Sequence, residues 1–235
     1  MATTSASARS EKMNMASLRF FVAFLLVLST VEGFAMFGKP RAKCEADDQA
    51  KTKSCLASFY GAFGVDVNNM PPFSTYFNII DQTFNDGGFG LESVCLYTNR
   101  LTKCLGPLYG STCMRPNSFV DMFGLDTENA IKYSTDIVVR MYECANKQTM
   151  KNNLKCLRDV FHNHHDEVMK CANQLANDIG SGKDVCKSMD DNVTCMTTYY
   201  VSMCGEGIRS FECGLVEAAS QFDVDGECKD KLQKC

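Results

Sequence analysis

The chain has 235 residues, 45% of them hydrophobic and 22% charged, with a formal net charge of −4 at neutral pH. A chain this acidic is no dedicated binder of nucleic acid or anionic membranes, which calls for a basic face. Fourteen cysteines and no tryptophan leave Phe, Met, Leu and Val to fill a core that this length can bury.

Residues 1–33 read as a secretory signal. A polar, mildly basic lead precedes the apolar run "FFVAFLLVL" at 20–28. A bilayer span needs roughly 20 such residues, whereas this length suits the core of a signal peptide. The small residues of "STVEGFA" predict cleavage after Gly33 or after Ala35, and Met13 and Met15 are alternative starts. Cleavage after Gly33 removes Arg9, Glu11, Lys12, Arg19 and Glu32, leaving the exported chain one charge more negative. No later stretch has the apolar length of a membrane span. Residues 34–43 form a short N-terminal lead.

A first cysteine-rich unit is placed at 44–125. After Cys44 and Cys55, the positions Phe73, Tyr76, Phe77, Ile80 and Phe84 recur at helical spacing. This stripe starts behind the helix-initiating pair Pro71-Pro72 and stops at "NDGG". Cys95, Cys104 and Cys113 then follow nine residues apart.

A second unit is placed at 126–235. Thr127, after "GLD", is the expected N-cap of a helix with apolar positions Ile131, Val138, Met141 and Ala145. Around Cys144 and Cys156 begins another stripe, through Leu154, Leu157, Phe161, Val168, Cys171 or Ala172, Leu175 and Ile179. Cys186, Cys195, Cys204 and Cys213 again lie nine apart, Gly205 suits a helix C-cap, and Cys228 and Cys235 close the chain. No segment alternates cleanly enough to be a strand. The expected fold is all-α, a disulfide-rich bundle of about eight to ten helices.

The two units correspond. Aligning residues 94–113 with 185–204 superposes three cysteines, Tyr109 with Tyr200 and Ser111 with Ser202, without a gap. Nine residues at about 100° each turn a side chain through half a circle, so successive cysteines on one helix face opposite sides. Either the helices are stapled on both flanks or turns interrupt them, and "MDDN" (189–192) and "CGEG" (204–207) favour turns. All 14 cysteines follow the cleavage region, and their even number implies up to seven disulfides in an oxidising compartment. Their connectivity cannot be deduced, since 14 cysteines allow on the order of 100,000 pairings. The closest two, Cys228 and Cys235, are too far apart for the short pairs of a structural zinc site.

The motifs "CLASFYGAFGV…MPPFSTYF", "ESVCLYTNRLTKCLGPLYGSTC", "YECANKQTMKNNLKCL" and the C-x8-C-x8-CG ending at Cys204-Gly205 resemble the chondroitin proteoglycan 4 domain proteins of nematodes. The resemblance runs from Cys44 to Ala219. It implies a secreted, helical, non-catalytic extracellular protein associated with matrix or eggshell, whose partner is an extracellular protein or a glycan. The single Ser-Gly of the chain, Ser181-Gly182, departs from the acidic Ser-Gly sites that chondroitin attachment needs, because Lys183 follows it. The one N-glycosylation sequon is Asn192-Val193-Thr194.

Every histidine of the chain lies in "DVFHNHHDEVMKC". On one continuous helix, His162, His165 and Asp166 would share a face and offer zinc three ligands. The apolar stripe through Phe161 and Val168 favours the plainer interpretation, in which His164 or His165 is a packed core residue or the group is a solvated hairpin tip. His165-Asp166 beside cysteines resembles secreted phospholipase A2, but that family's adjacent cysteines and calcium loop are missing. No H-E-x-x-H or G-x-S-x-G motif is present, "NDGGFG" lacks the lysine of a phosphate loop, and the chain is not expected to be an enzyme or to hold a cofactor. The alternative to a matrix role is a secreted carrier of a small apolar ligand. Disulfide-linked helices, many Phe and Met residues, and a C-x8-C spacing also seen in insect odorant-binding proteins support it.

Overall fold

The structure, a computed structural model, describes residues 43–85, 90–223, 228, 231–233 and 235. The expected signal segment, the lead up to residue 42 and most of the "NDGG" turn lie outside the described residues. Within them the chain is all-α: nine α-helices, no strand, and all 14 cysteines in seven disulfides.

Local chemistry starts and stops these helices. Helix α1 spans Ala46–Gly61, and α2, Phe73–Asn85, begins directly behind Pro71-Pro72. The stripe anticipated on α2 is the buried one, with Phe73, Tyr76, Phe77 and Ile80 all in the core. Helix α3 is Gly90–Leu105 and α4 is Pro116–Phe123. Proline sits at the first turn of α4, where its missing N–H is harmless, and Gly124 ends the helix at φ 66°. Helix α5, Thr127–Ala145, is capped by Asp126 rather than by Thr127. The Asp126 carboxylate accepts from the Asn129 N–H at 2.7 Å, a bond that holds its carboxyl below the usual range. The carboxylate reaches the third residue on, and so caps one position earlier than the hydroxyl of Thr127. Asn129 in turn accepts from the Phe73 N–H at 2.8 Å, fixing the start of α2 against α5.

Lys147–Asn163 form α6 and His165–Gly180 form α7. Helix α8, Val185–Cys204, starts at an Asp184 cap and ends at Gly205, φ 84°, as expected. Helix α9 is Arg209–Asp223. Turns do not interrupt α8 at "MDDN": Cys186, Cys195 and Cys204 share one unbroken helix and project alternately to its two sides. Their bridges go to Cys228, Cys171 and Cys156. Cys156 and Cys171 therefore do not tie α6 to α7; each fastens its own helix to α8. The first half has Cys44–Cys113 and Cys55–Cys104, and Cys213–Cys235 fixes the C-terminus. Cys95–Cys144 joins α3 to the end of α5 across the 125/126 division, and the larger core cluster crosses it too.

Helix α5 is the axis of the fold, packed by α2, α3, α4 and α9. Every residue from Ala130 to Met141 is buried, polar ones included. Around its N-terminal half, Tyr60, Tyr76, Tyr133 and Phe73 form an aromatic cluster with ring centroids 5.2–5.8 Å apart.

Candidate functional site: a cavity over a buried charge cluster

Five helices leave a cavity of ≈ 150 Å³ between them, partly open to solvent. Each offers residues at helical spacing. Helix α2 supplies Phe77, Ile80, Asp81 and Phe84, and α6 supplies Met150, Leu154, Leu157 and Arg158. Helix α9 contributes Phe211, Glu212, Leu215, Val216 and Ala219; α8 contributes Met196 and Tyr200; α5 contributes Val139, Arg140 and Glu143. The lining draws on both core clusters of the protein, with Phe84 packed against each. The site thus lies where the two apolar cores meet.

The polar groups converge on Arg140. Its guanidinium donates from Nε to Asp136 Oδ1 at 3.1 Å and from Nη1 to Glu143 Oε2 at 2.8 Å, with Nη2 3.0 Å from Asp136. Its cationic face lies 5.2 Å from the Phe84 ring centroid. Asp136, fully buried, also accepts from the Tyr76 hydroxyl at 2.9 Å. Burial opposes the charge of Arg140, but Asp136 and Glu143 more than offset it and raise its pKa. Burial pushes the Glu143 carboxyl up against the pull of Arg140.

Glu212 is the exception. It is 3% exposed, lines the cavity, and has no hydrogen bond or ion pair among the described residues. Burial, with the nearby Glu143 charge adding to it, pushes its carboxyl up to about 8. Burial and then Glu212 raise the phenols of Tyr200 and Tyr142 as well. Helix α9 comes close to α5 here because residue 214 is glycine: a Cβ on Gly214 would run into the Tyr142 hydroxyl.

The residues singled out from the sequence lie elsewhere. His162 belongs to α6 and His165 to α7, with the helices breaking at His164. The continuous helix assumed for a His162, His165, Asp166 metal set is therefore absent. The side chains of His162 and His165 lie outside the described residues; Asp166 is exposed. His164 is a half-exposed junction residue, its Nε2 4.0 Å from Asp159, and not a core histidine. Among the described residues no group of three potential metal ligands comes together. Asn192, expected to carry a glycan, is 3% exposed in the middle of α8, and both its amide atoms lack partners. A glycan there has no path out of the folded chain. Ser181 is exposed, and its hydroxyl caps α7 by donating to the Asp178 carbonyl at 2.9 Å.

Sequence reasoning passed over Asp136, Arg140, Glu143 and Glu212. The spacing Asp-x3-Arg-x2-Glu on α5 places three charges on one face as an ion-paired set, which is the signal that was available. Comparison with protein-family models, curated proteins and solved structures finds no match.

Proposed function

We propose that the chain is an exported, non-catalytic carrier that holds a small apolar ligand in the cavity between α2, α5, α6, α8 and α9. The cavity carries this reading. Its walls are mainly aliphatic, aromatic and thioether side chains, with a few convergent polar groups at one place, the usual composition of a ligand site. A cavity of this size accommodates about one benzene ring, so the ligand or its buried part is of that order. Seven disulfides support export, because such bonds form and persist in oxidising compartments. The apolar run at 20–28 and the likeness of the cysteine pattern to nematode chondroitin proteoglycan 4 domain proteins support the same extracellular setting.

Thermal unfolding with and without ethylbenzene tests the proposal. Saturating ethylbenzene is expected to raise the Tm of the wild type through mass action. It should leave Ala219→Leu, which fills part of the cavity from α9, unaffected. A wild type that does not respond, or a variant that responds equally, would overturn it.

A further inference from the structure

We propose that the ligand of this cavity is a small primary amine with an apolar body, its ammonium seated at Glu212 and its hydrocarbon against Phe77, Phe84, Leu154, Leu157 and Phe211. The inference rests on the carrier reading and adds the head group.

Three observations converge on a cation. Glu212 is a carboxyl 3% exposed, aimed into an apolar cavity and without a partner among the described residues. Buried polar groups in folded proteins are almost always hydrogen-bonded, and buried charges almost always paired. A carboxyl left bare beside a cavity therefore marks where a partner from outside belongs. The second observation concerns Arg140, the buried guanidinium of the cavity wall. Its Nε, Nη1 and Nη2 already face Asp136 and Glu143, and Phe84 covers its face. An incoming anion would find the Arg140 guanidinium already engaged and would meet the Glu212 and Glu143 carboxyls. Third, Glu143 lines the same cavity as Glu212, and its charge adds to the burial that raises Glu212, so the cavity wall around Glu212 is negative where a cation would sit. An ammonium has three N–H donors and one charge, which match two carboxyls better than a hydroxyl's single donor.

The charged and titratable groups around Glu212 come from every wall. They are Asp81 on α2; Asp136, Arg140, Tyr142 and Glu143 on α5; Arg158 on α6; Tyr200 on α8; and Glu217 on α9. With its carboxyl near 8, Glu212 is mostly neutral at pH 7, whereas a primary alkylamine is protonated, as Lys is. Seating the ammonium ionises Glu212, so binding is coupled to release of a proton.

The test is calorimetric titration at pH 7 of three probes that share a phenylethyl-sized body: 2-phenylethylamine, 2-phenylethanol and phenylacetate. Ethylbenzene serves as the head-group-free control. The amine is expected to bind the wild type at least tenfold more tightly than the alcohol, with phenylacetate weakest. Repetition in buffers of different ionisation enthalpy should show release of nearly one proton with the amine and none with the alcohol. Glu212→Gln is expected to weaken the amine at least tenfold while moving the alcohol less than threefold. The proton count is read on the wild type alone and does not depend on how the variant folds. Equal or tighter binding of the alcohol or of phenylacetate, no proton release with the amine, or an unchanged amine affinity in Glu212→Gln would each overturn the inference. If ethylbenzene binds while the amine shows no advantage, the head group is wrong and the carrier stands. If nothing binds, ethylbenzene included, the carrier reading fails with it.

Discussion

Replacing Glu212 by glutamine should change stability by an amount that depends on pH, moving in the variant's favour as pH rises. Burial raises the carboxyl from 4.5 to about 8. A group whose folded pKa is raised contributes fully below its unfolded value and loses that contribution as pH climbs to the folded value. Wild-type stability should therefore fall between pH 4.5 and 8 from this group and level off above. At one pKa unit per 1.36 kcal/mol, the full loss is about 5 kcal/mol, of which about 3 kcal/mol has occurred by pH 7. Glu212 is 3% exposed, so water screens little of this. Glutamine cannot ionise and escapes the loss. Its buried amide costs a roughly constant 1–3 kcal/mol of its own, which cancels when the same variant is compared at two pH values. Guanidinium unfolding followed by circular dichroism at pH 4, 7 and 9, without reductant, gives the comparison directly. No cysteine is free, so thiol exchange has no internal starter at pH 9. The difference between variant and wild type is expected to shift in favour of Glu212→Gln by about 5 kcal/mol from pH 4 to pH 9. A shift under about 1 kcal/mol would show that Glu212 is solvated or paired, and both the charge argument and the ammonium seat would fall.

Arg140→Met should destabilise by about 3–5 kcal/mol at pH 7 by stranding the buried carboxylates of Asp136 and Glu143; urea unfolding measures it, and a loss below 1 kcal/mol would contradict the buried network. Gly214→Ala should cost about 1–3 kcal/mol by pressing on the Tyr142 hydroxyl. Tyr142→Leu in the same chain, which removes the ring carbons as well as the hydroxyl, should restore part of that, and a double variant no more stable than the sum of its single variants would place the strain elsewhere. Asn192→Leu should be neutral or stabilising, because both amide atoms are buried without partners. Intact mass of the exported protein should show no glycan at Asn192; a glycan found there would mean that α8 does not pack as described.

The one-sided helices were legible in the sequence and the axial one was not. On α2, Phe73, Tyr76, Phe77 and Ile80 make a single apolar stripe against polar neighbours, and the structure buries that stripe. On α5 the same method marks Ile131, Val138 and Met141, and leaves Lys132, Asp136, Arg140 and Glu143 for solvent. These charges are buried because α2, α3, α4 and α9 surround the helix, and all of those but α4 come from distant parts of the chain. Ion pairs at i, i+4 are ordinarily surface features, so periodicity alone reads them as such. The break expected at "MDDN" failed for a related reason. Asp and Asn favour turns locally, but the Asp184 cap upstream and three bridges pointing to both flanks hold the helix through them. Glu212 carries no local signal, because its importance comes from the cavity that four other helices complete.

The disulfides also explain how a protein of this size tolerates such a site. A cavity of ≈ 150 Å³ costs about 4 kcal/mol at about 24 cal/mol per Å³. The bare Glu212 carboxyl adds about 3 kcal/mol at pH 7. Together these approach the whole stability of many domains. Two bridges fasten helices that wall the cavity: Cys156–Cys204 joins α6 to α8, and Cys95–Cys144 ties the end of α5 to α3. They close loops of 48 and 49 residues, each worth about 4 kcal/mol in the chain-entropy picture, so the two offset the site. Removing one bridge should therefore expose the cost of the carboxyl. A Cys156→Ala, Cys204→Ala chain is expected to lose about 4 kcal/mol at pH 7, and adding Glu212→Gln should return up to about 2 kcal/mol once its buried amide is counted, since separate sites add. If the glutamine returns nothing in the bridge-deleted chain yet stabilises the intact one, the cavity exists only while Cys156–Cys204 holds α6 in place. The bridge would then be a part of the binding site and not merely a support for it.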